Sequence, residues 1–440
     1  MTGYVAPVQP SEKFTILNPK RESENQSGRA SWYPYYAGFS QSFAHSLLAS
    51  AKLGGGSAII DPWNGSGTTT AAAAGIGHTA FGYDLNPVMV IAAKARMLNK
   101  RERGSLVPLA KAICSAAEGI KMPADDFAAA ISTWFIPESA SGIRSIELGI
   151  QKLLISGCDY VKVCSYDRIK TISDLAAFFY VALFRTMRSL MGGFSGSNPT
   201  WIKKPADQRS RLRPSIEQIK SIFLAQTESM VTALATDLTS KDSEVTIDIG
   251  SSDSIPLKNG TMDFVLSSPP YCTRIDYAVA TSPELAILGY RGDVEFEELR
   301  RRLIGTSTVP KVAPEQNLAW GPTCLGFLDK LSIHPSKASK SYYLKSHLQY
   351  FASIYNSLSE ISRILRKDGH CVLVVQDSHY KEIHNDLPTI IADMAASHSM
   401  GLNRRQDFKH HRTMAGVNPD VRKYRSNVTA TESVLCFSKN

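Results

Sequence analysis

The chain has 440 residues, of which 43% are hydrophobic, and its 49 basic and 40 acidic residues give a net charge of +9. This size and composition predict a globular protein with one large core and an appended domain, and no apolar run is long enough to span a bilayer. The positive charge weakly favours a polyanionic partner, and seven irregularly spaced cysteines without CxxC or HxxxH pairs predict reduced thiols in a cytoplasm and no metal site.

The first thirty residues are polar and carry proline and serine, which predicts a flexible arm or a tail that clasps DNA. An aromatic segment, residues 32–40, follows the arm and leads into an apolar run with helical spacing at residues 43–51. On its residues alone, this segment also fits an aromatic strap that covers a sheet edge.

A strand predicted at residues 57–60 runs into a glycine-rich turn and then an alanine-rich helix. Gly65 and Gly67 allow the backbone to approach a ligand or to adopt a positive φ, and Thr68 or Thr69 is placed to cap the helix. Such a unit is typical of nucleotide-like ligands. It has neither the lysine of a P-loop nor the full glycine spacing of a dinucleotide site, so phosphate binding is disfavoured.

A second strand, residues 79–83, ends in Asp84-Leu85-Asn86-Pro87. An acidic residue at this point is placed to accept hydrogen bonds from two ribose hydroxyls. The sequence therefore predicts a ligand with a ribose and no pyrophosphate, and S-adenosylmethionine fits that description.

A long insertion, residues 101–242, follows the second strand and is predicted to be mainly helical, for example over residues 174–191. A glycine-rich break at residues 192–199 precedes a basic block. The block consists of Trp201, Lys203, Lys204, Arg209, Arg211 and Arg213. Basic residues beside an aromatic ring suit a phosphate backbone and a groove or unstacked base, although a solvated loop has the same composition.

Two further strands are predicted at residues 245–249 and 263–266, and the second leads directly into Ser268-Pro269-Pro270-Tyr271. The Ser268 hydroxyl and the Pro269 carbonyl are acceptors, the latter fixed in direction by consecutive prolines, and Tyr271 can stack on a base for roughly 1–3 kcal/mol. Two acceptors facing one amino group would orient its protons and make its nitrogen nucleophilic. Alone, the tetrapeptide also fits a turn that ends a strand.

The rest of the chain predicts an inserted loop at about residues 272–342, a helix at 348–365 and a strand at 371–377. Residues 404–408 and 432–437 are predicted to form a closing antiparallel pair. His410 is predicted to be a solvent-facing or backbone-paired strand end rather than a metal ligand.

The turn Asp61-Pro62-Trp63-Asn64-Gly65-Ser66-Gly67-Thr68-Thr69, taken with Ser268-Pro269-Pro270-Tyr271, resembles the two signature motifs of the amino-methylating DNA methyltransferases. Members of this family transfer a methyl group from S-adenosylmethionine to N4 of cytosine or N6 of adenine. Their first motif usually reads Asp-Pro-Phe, so Trp63 is a departure that keeps an aromatic ring. The serine of the second motif is similar to the N4-cytosine branch, since the adenine branch more often begins with Asp or Asn.

The resemblance implies an α/β fold, a doubly wound Rossmann-like methyltransferase sheet with a closing antiparallel strand pair and mainly helical insertions. Residues 31–100 would form the first part of the core and residues 243–440 the second, in unpermuted order. The implied cofactor-binding residues are Phe39, Ser40, Asp61, Pro62, Trp63, Gly65, Gly67, Thr68, Thr69, Asp84, Asn86 and Asp253. Within this set, the resemblance places the lid motif over the methionine end and Asp253 against the adenine amino group.

Ser268, Pro269, Pro270 and Tyr271 are the implied catalytic residues, acting on a base flipped out of double-stranded DNA. The exocyclic nitrogen would attack directly without a covalent cysteine intermediate, so Cys272 is predicted to be dispensable. Arg274 would contact a phosphate of the extruded nucleotide or pair with a local carboxylate. A cognate restriction endonuclease is a possible partner.

Three alternatives share these residues. An N6-adenine methyltransferase would use the same motif on a larger ring. An RNA amino-methyltransferase shares the core but often carries an RNA-binding module, which the sequence does not reveal. A catalytically silent DNA-recognition subunit would retain the fold, but both motifs are intact.

Overall fold

The computed structural model describes residues 14–20, 28–33, 38–118, 129–155, 166–194, 201–236, 243–272, 275–290, 292–410, 424 and 429–440. Residues 34–37 of the aromatic segment, residues 195–200 of the glycine-rich break, and Arg274 lie outside these ranges. The same holds for most of the predicted N-terminal arm.

Parallel pairing dominates the main sheet. The strands are β1 (Ala58–Asp61), β2 (Thr79–Asp84), β3 (Val245–Ile249), β4 (Met262–Ser267), β5 (Leu365–Gln376), β6 (Ser378–Tyr380), β7 (Ile383–Asn385), β8 (Met400–His410) and β9 (Ala430–Lys439). Seven of the described strands form one sheet in the order β3-β2-β1-β4-β5-β9-β8, in which β9 runs antiparallel to both β5 and β8. The predicted mixed α/β sheet and its closing antiparallel pair are confirmed, whereas the hairpin of β6 and β7 was not predicted.

The strand order reverses at β1. The chain builds β2 and β3 on one side of β1, and then β4 pairs in parallel on the other side, with Ile59 beside Phe264 and Ile60 beside Val265. In open α/β sheets, ligands bind in the crevice at the carboxyl ends of the strands where the order reverses. The ends of β1 and β4, about 200 residues apart in sequence, therefore face the same crevice.

Helices account for most of the remaining described structure. They are α1 (Gln41–Ser50), α2 (Thr68–Gly75), α3 (Pro87–Ala95), α4 (Arg103–Glu118), α5 (Pro137–Leu154), α6 (Tyr166–Thr171), α7 (Asp174–Leu190), α8 (Ile216–Thr236), α9 (Tyr277–Ala280), α10 (Ser282–Ile287), α11 (Gly292–Arg302), α12 (Pro322–Ile333), α13 (Leu344–Ile364) and α14 (Leu387–Ser397). A π-helical segment, Ser339–Tyr343, precedes α13. The stretch predicted as an inserted loop at 272–342 is therefore largely helical, with α9 to α12 inside it.

Both faces of the central strands are covered, because their side chains alternate between two cores. Ile59 belongs to a cluster with Phe43 of α1 and Ala72 of α2, whereas the next residue, Ile60, belongs to a cluster with Phe351 of α13 and Ile391 of α14. None of the helices within the described ranges is both long and apolar enough to cross a membrane.

Part of the predicted flexible arm is packed against the sheet. Phe14 is buried with its ring beside those of Phe264 and His370, and Arg404 donates a 2.9 Å hydrogen bond to the Phe14 carbonyl. Ile16 is also buried. The prediction of a flexible arm was wrong for this segment, because these two apolar residues cover the face of β4 and β5.

The helical insertion has its own core, which is continuous with the helix after β2. Helices α4, α5, α7 and α8 pack together, and α7 also packs along α3. Lys94 of α3 is buried and donates three hydrogen bonds of 2.9–3.1 Å to the carbonyls of Ile169, Lys170 and Ile172 at the end of α6. One buried ammonium group thus joins the insertion to α3, the helix that follows β2.

We expect Lys94→Met to lower the free energy of unfolding by about 1–3 kcal/mol, because it leaves buried carbonyl acceptors without their donor. Urea unfolding monitored by fluorescence measures the effect. The control is Lys111→Met, on the exposed side of α4. Equal unfolding midpoints for the two variants would show that the buried bonds contribute nothing.

Candidate active site

A cavity of about 350 Å³ opens at the carboxyl ends of β1, β2, β3 and β4, within the usual range of small-molecule sites. Twelve predicted site residues line it: Phe39, Asp61, Pro62, Trp63, Gly65, Thr68, Asp84, Asn86, Ser268, Pro269, Pro270 and Tyr271. Four predicted cofactor residues are not among the lining residues: Ser40, Gly67, Thr69 and Asp253. The sheet thus brings the two signature motifs to one cavity.

Asp61 closes the turn after β1 through its own side chain. It accepts hydrogen bonds from the Trp63 amide (3.1 Å), the Thr69 hydroxyl (2.6 Å) and the Ser267 hydroxyl of β4. Burial raises the pKa of Asp61 to about 6, against the lowering effect of these three donors. Asp61 therefore fastens the β1 turn to the strand that carries the second motif.

The helix after this turn begins without a side-chain cap. Gly67 is its N-cap residue at a φ of 81°, and α2 starts at Thr68, so the prediction that Thr68 or Thr69 caps it was wrong. A Cβ at Gly67 would lie 2.8 Å from the Ala93 Cβ, besides being strained at this φ. Glycine is needed here because α2 begins in close contact with α3. The Thr69 hydroxyl instead donates its hydrogen bond to Asp61.

Asp84, at the end of β2, faces the cavity with part of its hydrogen-bonding capacity in use. Its two oxygens accept from the amides of Gly65 (2.9 Å) and Asn86 (2.8 Å). A carboxylate has about four acceptor sites, so these bonds leave room for two hydroxyl donors. Burial raises the pKa of Asp84 to about 6, which also favours a ligand able to donate to it. Asn86 caps α3 and donates to Thr281, so its side chain is committed to the fold.

The second motif is anchored by polar groups on three elements. Tyr271 donates a 3.0 Å hydrogen bond to Glu432 of β9, and His410 of β8 lies 3.2 Å from the other oxygen of that carboxylate. Burial and the neighbouring Glu432 raise the pKa of Tyr271, while a hydrogen bond with Ser268 opposes this shift. The carbonyl of Pro270 accepts a bond of 2.8 Å from Tyr350. His410 is thus the paired end of β8 with only 11% of its side chain exposed, rather than a solvent-facing residue.

The polar contacts of Tyr271 fix the direction of hydrogen bonding in the motif. A carboxylate only accepts, so Tyr271 gives its proton to Glu432, and its oxygen is then an acceptor for the Ser268 hydroxyl. With its proton turned toward Tyr271, Ser268 presents oxygen lone pairs to the cavity. Lone pairs directed into the cavity can accept hydrogen bonds from a ligand N–H or O–H group.

The aromatic segment before α1 lies partly at the cavity and partly against the helical insertion. Phe39 lines the cavity, and the next residue, Ser40, caps α1 by accepting from the Phe43 amide. Trp32 is buried against Phe178 of the insertion, so this part of the segment packs on the insertion rather than on a sheet edge.

Asp253 is exposed and accepts a hydrogen bond from Ser251. Its neighbours Gly250 and Ser252 line the cavity instead. The predicted contact from Asp253 to a cofactor adenine stays a prediction.

Three residues that the sequence did not mark as site residues also line the cavity, one each from the helical insertion, the second insertion and the aromatic segment. Arg188 of α7, Glu284 of α10 and Tyr33 all line the cavity. Arg188 pairs with Glu284 through contacts of 2.5 and 2.7 Å, and Tyr33 hydrogen-bonds to both side chains. No sequence motif marks these three residues. In the sequence, a lone arginine on an apolar helix looks like a charge exposed to solvent.

The basic block forms a surface loop held by main-chain bonds. The Trp134 ring nitrogen donates to the Lys203 carbonyl (3.1 Å), and the Leu212 amide donates to the Trp134 carbonyl (2.9 Å). Trp201 is 50% exposed, Lys203, Lys204, Arg209 and Arg213 are exposed, and Arg211 is half-buried. None of these residues lines the cavity. The loop therefore presents its charges to solvent from a fixed backbone.

No protein-family model matches the chain. The chain is similar to the type II methyltransferase M.BsoBI of Geobacillus stearothermophilus, with 23% identity over 315 residues that cover 68% of this chain and 60% of that protein. The chain thus spans less than two thirds of the relative's length. Among the described residues, no group of histidine, cysteine and acidic side chains is arranged to hold a metal ion.

We expect Asp61 and Asp84 to make the ligand-free protein more stable as the pH falls from about 7 to about 4.5. Asp61 and Asp84 have a folded pKa of about 6, above the ordinary 3.8. The native state therefore binds more protons than the unfolded state between these values, and stability is lost as the pH rises. Asp84→Asn should remove about 1–3 kcal/mol of this pH dependence.

Urea unfolding midpoints measured across this pH range provide the test. The control is Asp253→Asn, which removes an exposed carboxyl group and should retain the full slope. An unchanged slope in Asp84→Asn would mean that folding does not raise the pKa of Asp84.

Proposed function

We propose that this protein is an S-adenosylmethionine-dependent DNA methyltransferase that methylates the N4 amino group of cytosine. The observation that carries the proposal is the convergence of the β1 turn and Ser268-Pro269-Pro270-Tyr271 on one cavity. Similarity to a type II methyltransferase supports methyl transfer, although the aligned region covers only 60% of that relative. The choice of cytosine rests on the serine that begins the second motif.

The cavity fits S-adenosylmethionine in chemistry and in size. Asp84 retains acceptor sites for two ribose hydroxyls, Gly65 brings the backbone of the β1 turn close, and Phe39 and Trp63 supply aromatic walls. When bound, the cofactor supplies a methyl group on a positively charged sulfur. Asp61 and Asp84 offer negative charge that suits a cationic ligand.

The second motif would orient the substrate amine. Ser268, with its proton directed to Tyr271, accepts one amino hydrogen, and the Pro269 carbonyl accepts the other. Holding both hydrogens aligns the nitrogen lone pair for attack and stabilises the positive charge that develops on nitrogen. The bond from Tyr271 to Glu432 fixes the aromatic ring against which the base would stack.

Double-stranded DNA is the proposed substrate, with the target base rotated out of the stack at a cost of a few kcal/mol. The basic loop after the glycine-rich break is the proposed phosphate-binding surface. Arg300, in the second insertion, is paired with Asp276 at 2.6 Å and with Glu297 at 2.9 Å, so its charge is largely committed within the protein.

We expect Ser268→Ala and Tyr271→Ala to lower the methyl-transfer rate at least 100-fold while cofactor affinity changes less than about threefold. Asp84→Ala should show the reverse pattern, with weaker S-adenosylmethionine binding as its main defect. Transfer of labelled methyl groups to DNA and calorimetric binding of the cofactor separate the two effects. Cys272→Ser, beside the motif, should retain activity.

The methylated base is identified by digesting DNA from cells that express the protein. N4-methylcytosine in the digest, absent with Ser268→Ala, supports the proposal, whereas N6-methyladenine moves it to the adenine branch. Cofactor binding without any DNA methylation would point to RNA as the substrate. A protein that binds no S-adenosylmethionine would overturn the enzymatic assignment.

We expect replacement of Lys203, Lys204 and Arg209 by alanine to weaken DNA binding and to reduce the slope of log affinity against log salt by up to about 3. Each phosphate contact releases condensed counterions, so the slope counts the contacts that are lost. The matched control replaces Lys258, Lys330 and Lys367, which are equally exposed. Equal slopes for the two triple variants would exclude the loop from the DNA interface.

A further inference from the structure

Arg188 has an unusual position for a residue of an insertion helix. Among the described residues that line the cavity, it is the only one with a cationic side chain, against three carboxylates on Asp61, Asp84 and Glu284. About a third of its side chain remains exposed, whereas that of Glu284 is 1% exposed. Of the two charged side chains, Arg188 is therefore the accessible one and Glu284 is the buried one.

The guanidinium group is held in a fixed orientation. Glu284 binds its Nε (2.5 Å) and Nη2 (2.7 Å), and the Ala280 carbonyl accepts a second bond from Nη2 (2.5 Å). Tyr33, which also lines the cavity, is hydrogen-bonded to both side chains of the pair. Burial alone would lower the pKa of Arg188, but the attraction of Glu284 outweighs burial and the net pKa is raised, so the group stays charged.

The carboxylate partner is itself held by other parts of the structure. Arg144 of α5 donates to the carbonyls of Ala286 (2.8 Å) and Ile287 (2.5 Å), and Asn86 donates to Thr281 (2.9 Å), just before α10. Glu284 is therefore fixed by both the insertion and the β2 end of the sheet. A preorganised arginine that lines the cavity with about a third of its side chain exposed is suited to a second anionic group.

We propose that Arg188 binds the carboxylate of the amino-acid end of S-adenosylmethionine, and that Glu284 is the residue that positions it. This inference rests on the proposed function and assigns part of the cofactor site to the helical insertion. The charges match, because the cofactor carries two cationic groups and one anionic group, while the cavity offers three carboxylates and one guanidinium. The insertion would then complete the cofactor site besides contributing to DNA binding.

The test compares two ligands by calorimetry: S-adenosylmethionine and its decarboxylated analogue, which lacks only the carboxylate. Native protein should bind the analogue about 10- to 100-fold more weakly, as expected for the loss of a charge-assisted hydrogen bond. In Arg188→Met combined with Glu284→Gln, which leaves no unpaired buried charge, the two affinities should agree within about threefold. The control, Arg185→Met, alters an arginine on the same helix that does not line the cavity and should keep the native ratio.

The outcomes are distinct. Equal affinities of native protein for both ligands, or a native ratio in the double variant, would overturn the role of Arg188 while leaving the proposed function in place. If the ion pair is purely structural, the double variant should bind both ligands more weakly by the same factor, and this would also overturn the role of Arg188. If native protein binds neither ligand, the proposed function fails together with the inference. Arg188→Lys keeps a cation beside Glu284 and provides a second test if the double variant does not fold. It should retain part of the preference for S-adenosylmethionine over the decarboxylated analogue.

Discussion

The parallel pairing of β1 with β4 is the contact on which the candidate site depends. It places Ile60 beside Val265, so that the Asp61 turn and Ser268 leave the sheet side by side. The Ser267 hydroxyl then bonds to Asp61, and the Thr69 hydroxyl lies 3.0 Å from the Leu266 carbonyl, so the two chain segments are tied together beyond the strands themselves. Without this pairing, neither motif would have a partner.

Sequence reasoning located the elements that have strong local signals. The strands at Ala58–Asp61, Thr79–Asp84 and Met262–Ser267 were predicted within one residue, because short apolar runs ended by turn residues are distinctive. It failed where tertiary contacts decide the outcome. Phe14 is in a polar stretch yet packs on the sheet, and Arg188 lies on a helix whose neighbours are apolar, so its approach to a distant cavity leaves no trace in the local pattern.

The electrostatics of the cavity follow from its construction at strand ends. Asp61 and Asp84 are buried by the turns that they stabilise, and this burial raises their pKa. Hydrogen bonds from neighbouring amides or hydroxyls partly offset the free energy that burial of the carboxylates costs. Such carboxylates are poised for cationic or hydroxyl-bearing ligands. In the second motif, the carboxylate of Glu432 on β9 can only accept, so the Tyr271 hydroxyl is the donor in the bond between them.

The order of elements along the chain also has a consequence for folding. During synthesis, β1 can pair with β2 at once, but its other edge stays open until β4 follows roughly 180 residues later, which takes about 10–40 s at ribosomal rates. The intervening chain is helical and rich in local contacts, so it can fold in that interval. The insertion therefore separates the two halves of the sheet in time, and the apolar edge of β1 is the surface most exposed to misassociation before the sheet is complete.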